Sequence, residues 1–501
     1  MRGATQSMNP FRNSSQGTPG RAASPGGLDA PGPRTLSRRA FLGAMGAGLA
    51  LSACAGGAPG PRGAGPHGSE TAQLVYQDWR TEWFPGMAQQ MLEQFHAAHP
   101  SIRVFYTPDP DNFAEAMMAD FQAGTPPDVM AGCCDVLPIW AQRGYLLDLR
   151  PYVEADLPRE TVADWSEAQY NAFFGADGGL YALPKYHGAL ALYFNKDMFD
   201  AKRVDYPDGS WTHSDYHEAM QRVTAGMYTQ RTPGIWGSMV DIAWERIQVH
   251  VNGWGGHFVD PADPTHSLLG EREALAAMEW IRSRMWDDRV MASFLDVQNL
   301  ETRHAFIQKK LAMVEDGSWA LKDILERADF RIGVAPFPSG PVRKVTLATT
   351  DGFAIFAGTK YPDAAWELLK FLISPDYGRA MAETHLLQPA RASLVDEWAA
   401  TIRKAYPEQT KELDIAAFAD GHLKGYSVTA EVFGQMAPAR TLIQNSWEQI
   451  FTLGRAPVST MRDVSAQVEA TQQAAGDAGA RRAPVHSALA GAPACACSVR
   501  L

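Results

Sequence analysis

The chain contains 501 residues, of which 46% are hydrophobic and 20% are charged, and its formal net charge at pH 7 is −11. This length exceeds one compact domain and favours two domains with large cores. The acidic balance argues against nucleic acid as a partner, because phosphate binding needs clustered Lys and Arg side chains.

The first predicted feature is an export signal. Arg38 and Arg39 precede an apolar run that ends in small residues before Cys54. The paired arginines are typical of the twin-arginine export route, and the residues before Cys54 are typical of a lipoprotein cleavage box. The 14 residues from Ala40 to Ala53 are too few to span a bilayer, which takes ~20. We expect residues 1–53 to be removed and Cys54 to carry the lipid; alternatively, the N-terminus stays uncleaved and Cys54 is incidental.

The segments that flank the main body have biased compositions. Residues 54–72 are rich in Gly and Pro, which predicts a flexible tether. Residues 469–501 are rich in Ala and Gly, which predicts a disordered tail. The ordered body is therefore expected over residues 73–468.

The remaining cysteines form two close pairs. Cys133 and Cys134 are adjacent, and Cys495 and Cys497 lie in the tail. Their spacing matches neither a disulfide framework nor a zinc site. Either pair could oxidise outside the cytoplasm, and free thiols at Cys133 and Cys134 are an equally good interpretation.

The body opens with alternating strands and helices. The pattern predicts strands at Leu74–Tyr76, Ile102–Tyr106 and Asp128–Met130, separated by helices at Pro85–Ala98 and 111–123. This alternation is typical of a parallel α/β sheet. Ligands of such sheets bind at the carboxyl ends of the strands, so we expect functional residues directly after the first and third strands.

Later segments repeat these patterns. Ala189–Phe194 and Phe353–Phe356 read as apolar strands, and Asp363–Leu372 reads as an amphipathic helix. Thr212 and Asp215 have the spacing of a capping box. The α/β class therefore extends over the second half of the body.

Three segments, in order, carry a family resemblance that covers about residues 73–440. The segments are Gly179–Pro184 with Leu192–Phe199, Phe306–Met313 with Gly317–Trp319, and Asp351–Ile355 with Tyr361–Glu367. They resemble signatures of extracellular solute-binding proteins of the maltose-binding type, the sugar-binding lipoproteins of ABC importers.

The resemblance implies a two-lobed periplasmic-binding-protein fold of type II. Each lobe is expected to be a mostly parallel sheet flanked by helices, and the chain is expected to cross between lobes several times. The implied crossings are Tyr186–Ala189, Ala335–Ser339 and Leu386–Ala390. Lobe one is then 73–187 plus 338–386, and lobe two is 189–336 plus 389–468.

The resemblance also implies a ligand site in the cleft between the lobes. Sugars need aromatic faces and planar hydrogen-bonding groups, and the matching positions supply both, with Trp319 the strongest candidate. Surface ion pairs, a helix cap at Asp135, a packed hinge aromatic at Tyr186 and core packing at Trp254 are the alternatives. The candidates are Trp79, Arg80, Glu82, Trp83, Asp135, Tyr186, His187, Asp241, Trp244, Glu245, Trp254, Trp319, Asp351, Gly352 and Arg391.

By resemblance, the expected function is capture of a carbohydrate and its delivery to the membrane subunits of an ABC permease. The protein is expected to be a monomer, held at the membrane by lipid on Cys54 and needing no cofactor or metal. Alternatives are a polyamine, glycerophosphodiester or peptide ligand on the same fold, a metal receptor, and an exported glycosidase that uses Glu82 with Asp135.

Overall fold

The computed structural model of the chain describes residues 71–224, 228–229 and 232–482. The predicted export signal, the lipidation site Cys54 and the pair Cys495 and Cys497 lie outside these residues. Among the helices that the structure describes, none combines the length and apolar character that a bilayer crossing requires.

The described residues alternate short strands with helices. The strands, β1 to β14 in chain order, are Ala72–Asp78, Ile102–Pro108, Val129–Gly132, Leu183–Pro184, Leu190–Asn195, Tyr228–Thr229, Thr232–Pro233, Val259–Asp260, Asp263–Ser267, Met313–Gly317, Ile332–Pro336, Thr346–Leu347, Gly352–Ile355 and Ser427–Val428. The helices, α1 to α18, are Phe84–Ala98, Phe113–Ala123, Val136–Gln142, Arg150–Asp156, Arg159–Ala163, Glu167–Asn171, Lys196–Lys202, His213–Thr224, Trp244–Gly253, Arg272–Trp286, Thr302–Ile307, Leu321–Arg327, Pro362–Leu372, Pro375–His385, Val395–Ala405, Asp420–Leu423, Met436–Trp447 and Met461–Arg482.

The predicted local elements are confirmed within a few residues. Helix α1 buries Met87, Met91 and Phe95 on one face, as their spacing predicts. The capping box also forms: the Asp215 carboxylate accepts from the Thr212 backbone N–H at 2.8 Å, and the Thr212 hydroxyl accepts from the Asp215 N–H at 3.3 Å.

Lobe one contains a five-stranded sheet in the order β2-β1-β3-β13-β4. Strands β1, β2 and β3 are parallel, as the alternation predicts, and β13 pairs antiparallel with both β3 and β4. The register places Gly352 opposite Gly132. The loops that carry the candidate residues after β1, β3 and β4 therefore gather near one end of the sheet.

The sheet of lobe two differs from expectation. It has three strands in the order β10-β5-β11, and both pairings are antiparallel, so the expectation of a mostly parallel sheet is wrong for this lobe. The signal for parallel strands came from strand and helix alternation in the first half of the chain. Strand β5 instead lies between two strands that run in the opposite direction.

Three chain crossings run side by side between the lobes. The Tyr186 region pairs with Pro389, and Ala189 pairs with Ala348. The His187 N–H donates to the Gln388 carbonyl at 2.9 Å, which links the first and third crossings. These hydrogen bonds bind the three hinge strands into one narrow ribbon.

Two predicted boundaries need correction. The second crossing lies near Ala348 and not at Ala335–Ser339, because β12 pairs with β14 and its Leu347 packs with Leu190 and Val249 of lobe two. In addition, residues 469–482 continue helix α18 and do not form a disordered tail; this helix begins on buried Met461, Val464 and Val468 in the core of lobe two.

A buried hydrogen-bond chain ties four segments of lobe two together. Nδ1 of His213 lies 3.0 Å from the Ser339 carbonyl, and its Nε2 lies 2.8 Å from Nδ1 of His250. Nε2 of His250 lies 3.0 Å from a Glu315 carboxylate oxygen. Burial, and then His250, lower the pKa of His213 to about 3, so His213 stays neutral and donates to Ser339. Because Nδ1 of His213 carries its hydrogen, its Nε2 accepts from Nδ1 of His250, and the other ring nitrogen of His250 faces Glu315.

Replacing His250 by Leu is expected to leave the buried Glu315 carboxyl group without its histidine partner. Leaving a buried hydrogen-bonding group without its partner costs about 1–3 kcal/mol, and more where the group is charged, and both residues are almost completely buried. The measurement is urea unfolding of the two proteins. The control is His266→Leu, which removes the contact between His266 and Glu469. These side chains are 49% and 28% exposed, so this substitution should lower the unfolding free energy by under about 1 kcal/mol. Equal losses in the two variants would contradict this account of the chain.

Candidate functional site at the lobe interface

A buried ion pair lies at the centre of lobe one's ligand-facing end. Asp78 ends β1 and Lys185 follows β4, and neither side chain is exposed. The Lys185 N–H also donates to the Asp351 carbonyl at 3.0 Å. The Nζ of Lys185 lies 3.2 Å from the centroid of the Trp79 ring, a cation–π distance. The pair thus fixes three loops at once.

The surroundings of this pair shift the proton affinity of nearby carboxyl groups. Burial raises the pKa of Asp351 to about 6, against the attraction of Lys185. Burial, and then Asp78, raise the pKa of Asp109 to about 7. Burial also lowers the pKa of Lys185, while Asp78 opposes this change. The region therefore holds several acidic groups near one buried cation.

The wall of lobe one combines an aromatic surface with polar groups. The rings of Trp79 and Tyr186 meet edge to face with their centroids 5.5 Å apart. Burial raises the pKa of Tyr186 most, and electrostatic interactions with Asp351, Cys133 and Cys134 raise it further. These five residues, drawn from the loops after β1, β3 and β4 and from the start of β13, therefore lie together.

The wall of lobe two is built around the start of helix α9 and the end of β10. The guanidinium of Arg246 lies 5.0 Å from the Trp319 ring centroid. Burial raises the pKa of the Asp241 carboxyl, and Glu245 adds to this effect whereas Arg246 opposes it. Asp241 is nevertheless open to solvent, so it lies in a recess and not in the core.

One ion pair joins the walls, and a carboxyl group of lobe two lies near the thiols of lobe one. Asp135 of lobe one forms an ion pair with Arg440 of helix α17 at 2.9 Å, and both side chains are largely buried. Glu245 of lobe two contributes to raising the pKa of the Cys134 thiol, after the Cys133 hydrogen bond and burial. Asp135 stands at the N-cap position of helix α3, but its side chain makes no capping hydrogen bond. Its partner is instead on the opposite lobe.

The structure thus brings together a set of the sequence-predicted residues from both lobes. On lobe one, these stand at the ends of β1, β3 and β4 and the start of β13. On lobe two, they stand at the start of helix α9 and after β10. The set is Trp79, Asp135, Tyr186, Asp241, Glu245, Trp319 and Asp351.

Three predicted residues lie away from this set. Trp244 is buried in the core of lobe two, where it packs on Phe258 and donates its Nε1–H to the Glu431 carbonyl at 2.7 Å. Trp254 packs against His213. Arg391 lies over Trp165 and beside Asp164. Each has a structural partner elsewhere, so none of the three lines the interface described here.

Two others are covered by their neighbours. His187 is fully buried in the first crossing, its ring centroid 4.4 Å from that of His422. Burial holds the pKa of His187 well below its usual value. Gly352 is covered by Phe173, since a Cβ placed there would lie 2.7 Å from that ring. His187 therefore belongs to the hinge and Gly352 to the sheet.

The remaining candidates lie at the outer edge of the loop after β1. Arg80 and Glu82 are exposed, and Arg80 forms an ion pair with exposed Asp111. Trp83 stacks on His385 with ring centroids 4.7 Å apart. These three residues therefore lie at the outer edge of the candidate site and not at its base.

Sequence reasoning missed three groups that the structure places at the site. Arg246 and Arg440 belong to no signature, and Lys185 was passed over although it adjoins candidate Tyr186. Arg246 could have been predicted from the sequence, because it adjoins the candidate residue Glu245 at the start of a helix. For Arg440, the sequence offers no such signal, because its partner Asp135 is 305 residues away.

Aromatic faces and hydrogen-bonding groups on opposed walls suit a ligand with a flat apolar face and a polar edge. Among the residues that the structure describes, no three His, Cys, Asp or Glu side chains are grouped to hold a metal ion. The opposed aromatic and polar groups fit binding of a small polar molecule between the lobes.

Comparison with known proteins gives the same picture of the fold. Residues 79–379 match the model of a family described as bacterial extracellular solute-binding protein. The maltodextrin-binding protein of Bacillus subtilis is 24% identical over 326 residues, 60% of this chain and 68% of the relative. A lipoprotein of Streptomyces antibioticus is 23% identical over 345 residues, 65% of this chain and 70% of the relative.

A solved structure has the same fold. The ABC substrate-binding protein of Listeria monocytogenes, in complex with cycloalternan, superposes with a TM-score of 0.69 and 18% identity. The match covers 80% of this chain and 99% of that one. The two-lobed α/β architecture that the sequence predicts is therefore confirmed.

The raised pKa of Asp351 predicts a pH-dependent stability. The folded protein binds this proton more tightly (pKa about 6) than the unfolded chain does (about 4). The stabilising contribution is therefore complete below about pH 4 and is lost as the pH rises through about 6. Relative to Asp351→Asn, the unmodified protein should lose up to ~3 kcal/mol of unfolding free energy between these limits.

The measurement is urea unfolding at stepped pH. Asp156→Asn is the control with the opposite sign, because hydrogen bonds from Trp366 and Lys370 lower the pKa of Asp156. Its contribution should be lost as the pH falls. Parallel pH profiles for the unmodified protein and Asp351→Asn would show that Asp351 is not perturbed by its surroundings.

Proposed function

The chain belongs to the family of bacterial extracellular solute-binding proteins, and from that premise we propose that it captures a sugar or oligosaccharide between its lobes for an ABC importer. The observation that carries this proposal is the pairing of aromatic rings and carboxyl groups on both walls. Trp79 on lobe one and Trp319 on lobe two, both partly exposed, offer faces for the C–H side of a sugar ring, and buried Tyr186 packs edge to face on Trp79.

Carboxyl groups at the same place suit the hydroxyl edge of a sugar. Asp241 and Glu245 lie at the start of helix α9, and Asp351 lies beside Tyr186. Carboxylates accept hydrogen bonds from hydroxyl groups in fixed planar directions. Opposed walls of this kind hold a neutral polyhydroxyl ligand without needing a compensating charge on it.

The charges at the site favour a neutral ligand over a phosphodiester. The Arg440 guanidinium already pairs with Asp135, and Arg246 lies 3.7 Å from Asp316. A phosphate group would compete with these carboxylates for the two guanidinium groups. The relatives named above include proteins described with maltodextrin and cycloalternan, which supports a carbohydrate for this chain.

The proposed mechanism is reversible binding without chemistry. The three adjacent crossings act as a hinge, and a ligand that touches both walls favours the closed form. Moving a lobe equilibrium from 1:99 to 99:1 requires ~10⁴-fold tighter binding to the closed form. Contacts to both Trp79 and Trp319 would be lost on opening, so they supply that difference. The closed receptor then docks on the membrane subunits of its permease.

The proposed location is the outer face of the cell membrane. Export by the twin-arginine route, cleavage before Cys54 and lipid on its thiol would hold the receptor beside the permease. The match to a protein of Streptomyces antibioticus that is described as a lipoprotein supports this arrangement. We propose that the mature protein acts as a monomer.

A thermal-shift panel tests the ligand class. Maltose, maltotriose, a cyclic glucan, spermidine and glycerophosphocholine are added separately to the full chain. A ligand at 100 times its dissociation constant raises apparent stability by ~2.7 kcal/mol, and we expect this from at least one of the sugars. A shift with spermidine or glycerophosphocholine alone would overturn the carbohydrate proposal.

Removing an aromatic face should weaken binding of the sugar that gives the shift. Trp319→Ala is expected to raise its dissociation constant by ~10–100-fold, since a stacked ring and its buried area contribute about 1.4–2.8 kcal/mol. The matched control is Trp254→Ala, because Trp254 packs against His213 within lobe two. Titration calorimetry measures both variants. Equal weakening, or none in Trp319→Ala, would place the ligand elsewhere.

A further inference from the structure

Two adjacent thiols lie in the wall of lobe one. Cys133 and Cys134 follow β3 directly and precede Asp135. Their Sγ atoms are 3.1 Å apart, and both residues are half-buried and unbonded. The pairing of Gly352 with Gly132 and the hydrogen bond from Thr350 to Cys134 place this turn beside Asp351. Glu245 and Tyr186 are close enough to interact electrostatically with the thiols. The proposed sugar site does not use these thiols.

The backbone brings the two sulfur atoms to one side. Successive side chains of a strand point to opposite faces, which would separate neighbouring cysteines. Cys134 instead adopts a left-handed conformation with φ 59°, uncommon for a residue other than glycine. Its carbonyl accepts a hydrogen bond from the Thr350 hydroxyl at 3.2 Å. The turn holds both thiols together at the surface of the wall.

We propose that Cys133 and Cys134 are a reversible redox site that closes to an intramolecular disulfide. The oxidant is a small-molecule disulfide of the oxidised-glutathione type. The Cys133 thiolate attacks one sulfur of this disulfide and releases one thiolate, giving a mixed disulfide. The Cys134 thiolate then attacks the Cys133 sulfur and releases the second thiolate. In sum, two protein thiols lose two hydrogens and the oxidant becomes two thiols.

Two physical features make this bond labile. Adjacent Cα atoms are about 3.8 Å apart across a trans peptide, closer than the usual 4.4 Å minimum for disulfides, so closing the ring costs strain. Strained disulfides have more oxidising potentials and are the regulatory type. The Cys133 hydrogen bond and then burial raise the pKa of the Cys134 thiol, so the closing step should accelerate as the pH rises.

Closure of the ring would act on the ligand site. The peptide between the cysteines must turn, which moves the Cys133 carbonyl away from the Val136 N–H that donates to it at 3.1 Å. Asp135 follows at once in the chain and pairs with Arg440 of lobe two. The oxidised form is therefore expected to have a weakened contact between the lobes. This consequence rests on the proposed function, whereas the chemistry of the thiols does not.

Peptide mapping of the full chain tests the thiol chemistry. The reduced protein is incubated with oxidised glutathione, residual thiols are alkylated, and tryptic peptide 104–143, which holds only these two cysteines, is weighed. We expect a loss of about 2 Da and no alkylation in this peptide, reversed by dithiothreitol. In Cys134→Ser, a glutathione adduct of about 305 Da should remain on Cys133.

Two results would overturn the proposal. One is alkylation of both cysteines in the unmodified protein after treatment with oxidised glutathione, although the same treatment modifies Cys133 in Cys134→Ser. The other is a stable glutathione adduct in the unmodified protein, which would show that the ring does not close. Cys133→Ser serves as the reverse variant, and in it no loss of 2 Da should occur in this peptide.

The effect on binding is measured separately. The sugar identified by the thermal-shift panel is titrated into reduced and oxidised protein, and we expect a change of at least ~5-fold in its dissociation constant, absent in Cys133→Ser. If the disulfide forms but the sugar affinity of the protein is unchanged, the redox site stands and its coupling to sugar binding does not. If no sugar binds at all, the proposed function fails and the mass measurement still decides on the thiols.

Discussion

Lys185 and Asp78 are the charges on which the ligand-facing end of lobe one depends. A buried ammonium or carboxylate without its partner would cost several kcal/mol, so the ends of β1 and β4 must meet. That meeting sets the Trp79 ring against the Lys185 ammonium and holds the Asp351 carbonyl on the Lys185 backbone. An aromatic surface, a carboxyl group with raised pKa and the first crossing are all fixed by this one pair. Lobe one is thereby arranged before any ligand arrives.

Lobe two is organised by different physics. Its three-stranded sheet is antiparallel, and the buried chain from His213 to Glu315 ties the base of β10 to two helices. Strand β10 leads directly into Trp319, so the ring that faces lobe one starts from a rigid strand. The two walls are each stiff, and only the ribbon of three crossings between them is narrow. Stiff lobes on a narrow hinge are what a closing receptor requires.

Much of this could be predicted from the sequence, for reasons that differ by residue. Helix α1 and strands β1 to β3 follow from local periodicity and turn residues, and Trp319 and Asp351 follow from signatures. Trp244 and Trp254 were misplaced because a tryptophan near a ligand loop looks the same in sequence whether it faces the core or the cleft. The pairing of Asp135 with Arg440 depends on how two lobes meet, which no local pattern records. Helix α18 begins on Met461, Val464 and Val468 in the core of lobe two, and this packing starts a helix that the Ala- and Gly-rich composition after residue 469 does not predict.

The central claim is that one ligand touches both walls at once. Hydrogen exchange of the full chain, with and without the sugar that gives the largest thermal shift, tests it most directly. Exchange should slow together in residues 130–137 of lobe one and residues 313–320 of lobe two, because closure excludes water from both segments. Slower exchange in one lobe alone, or in neither, would contradict a site shared between the lobes.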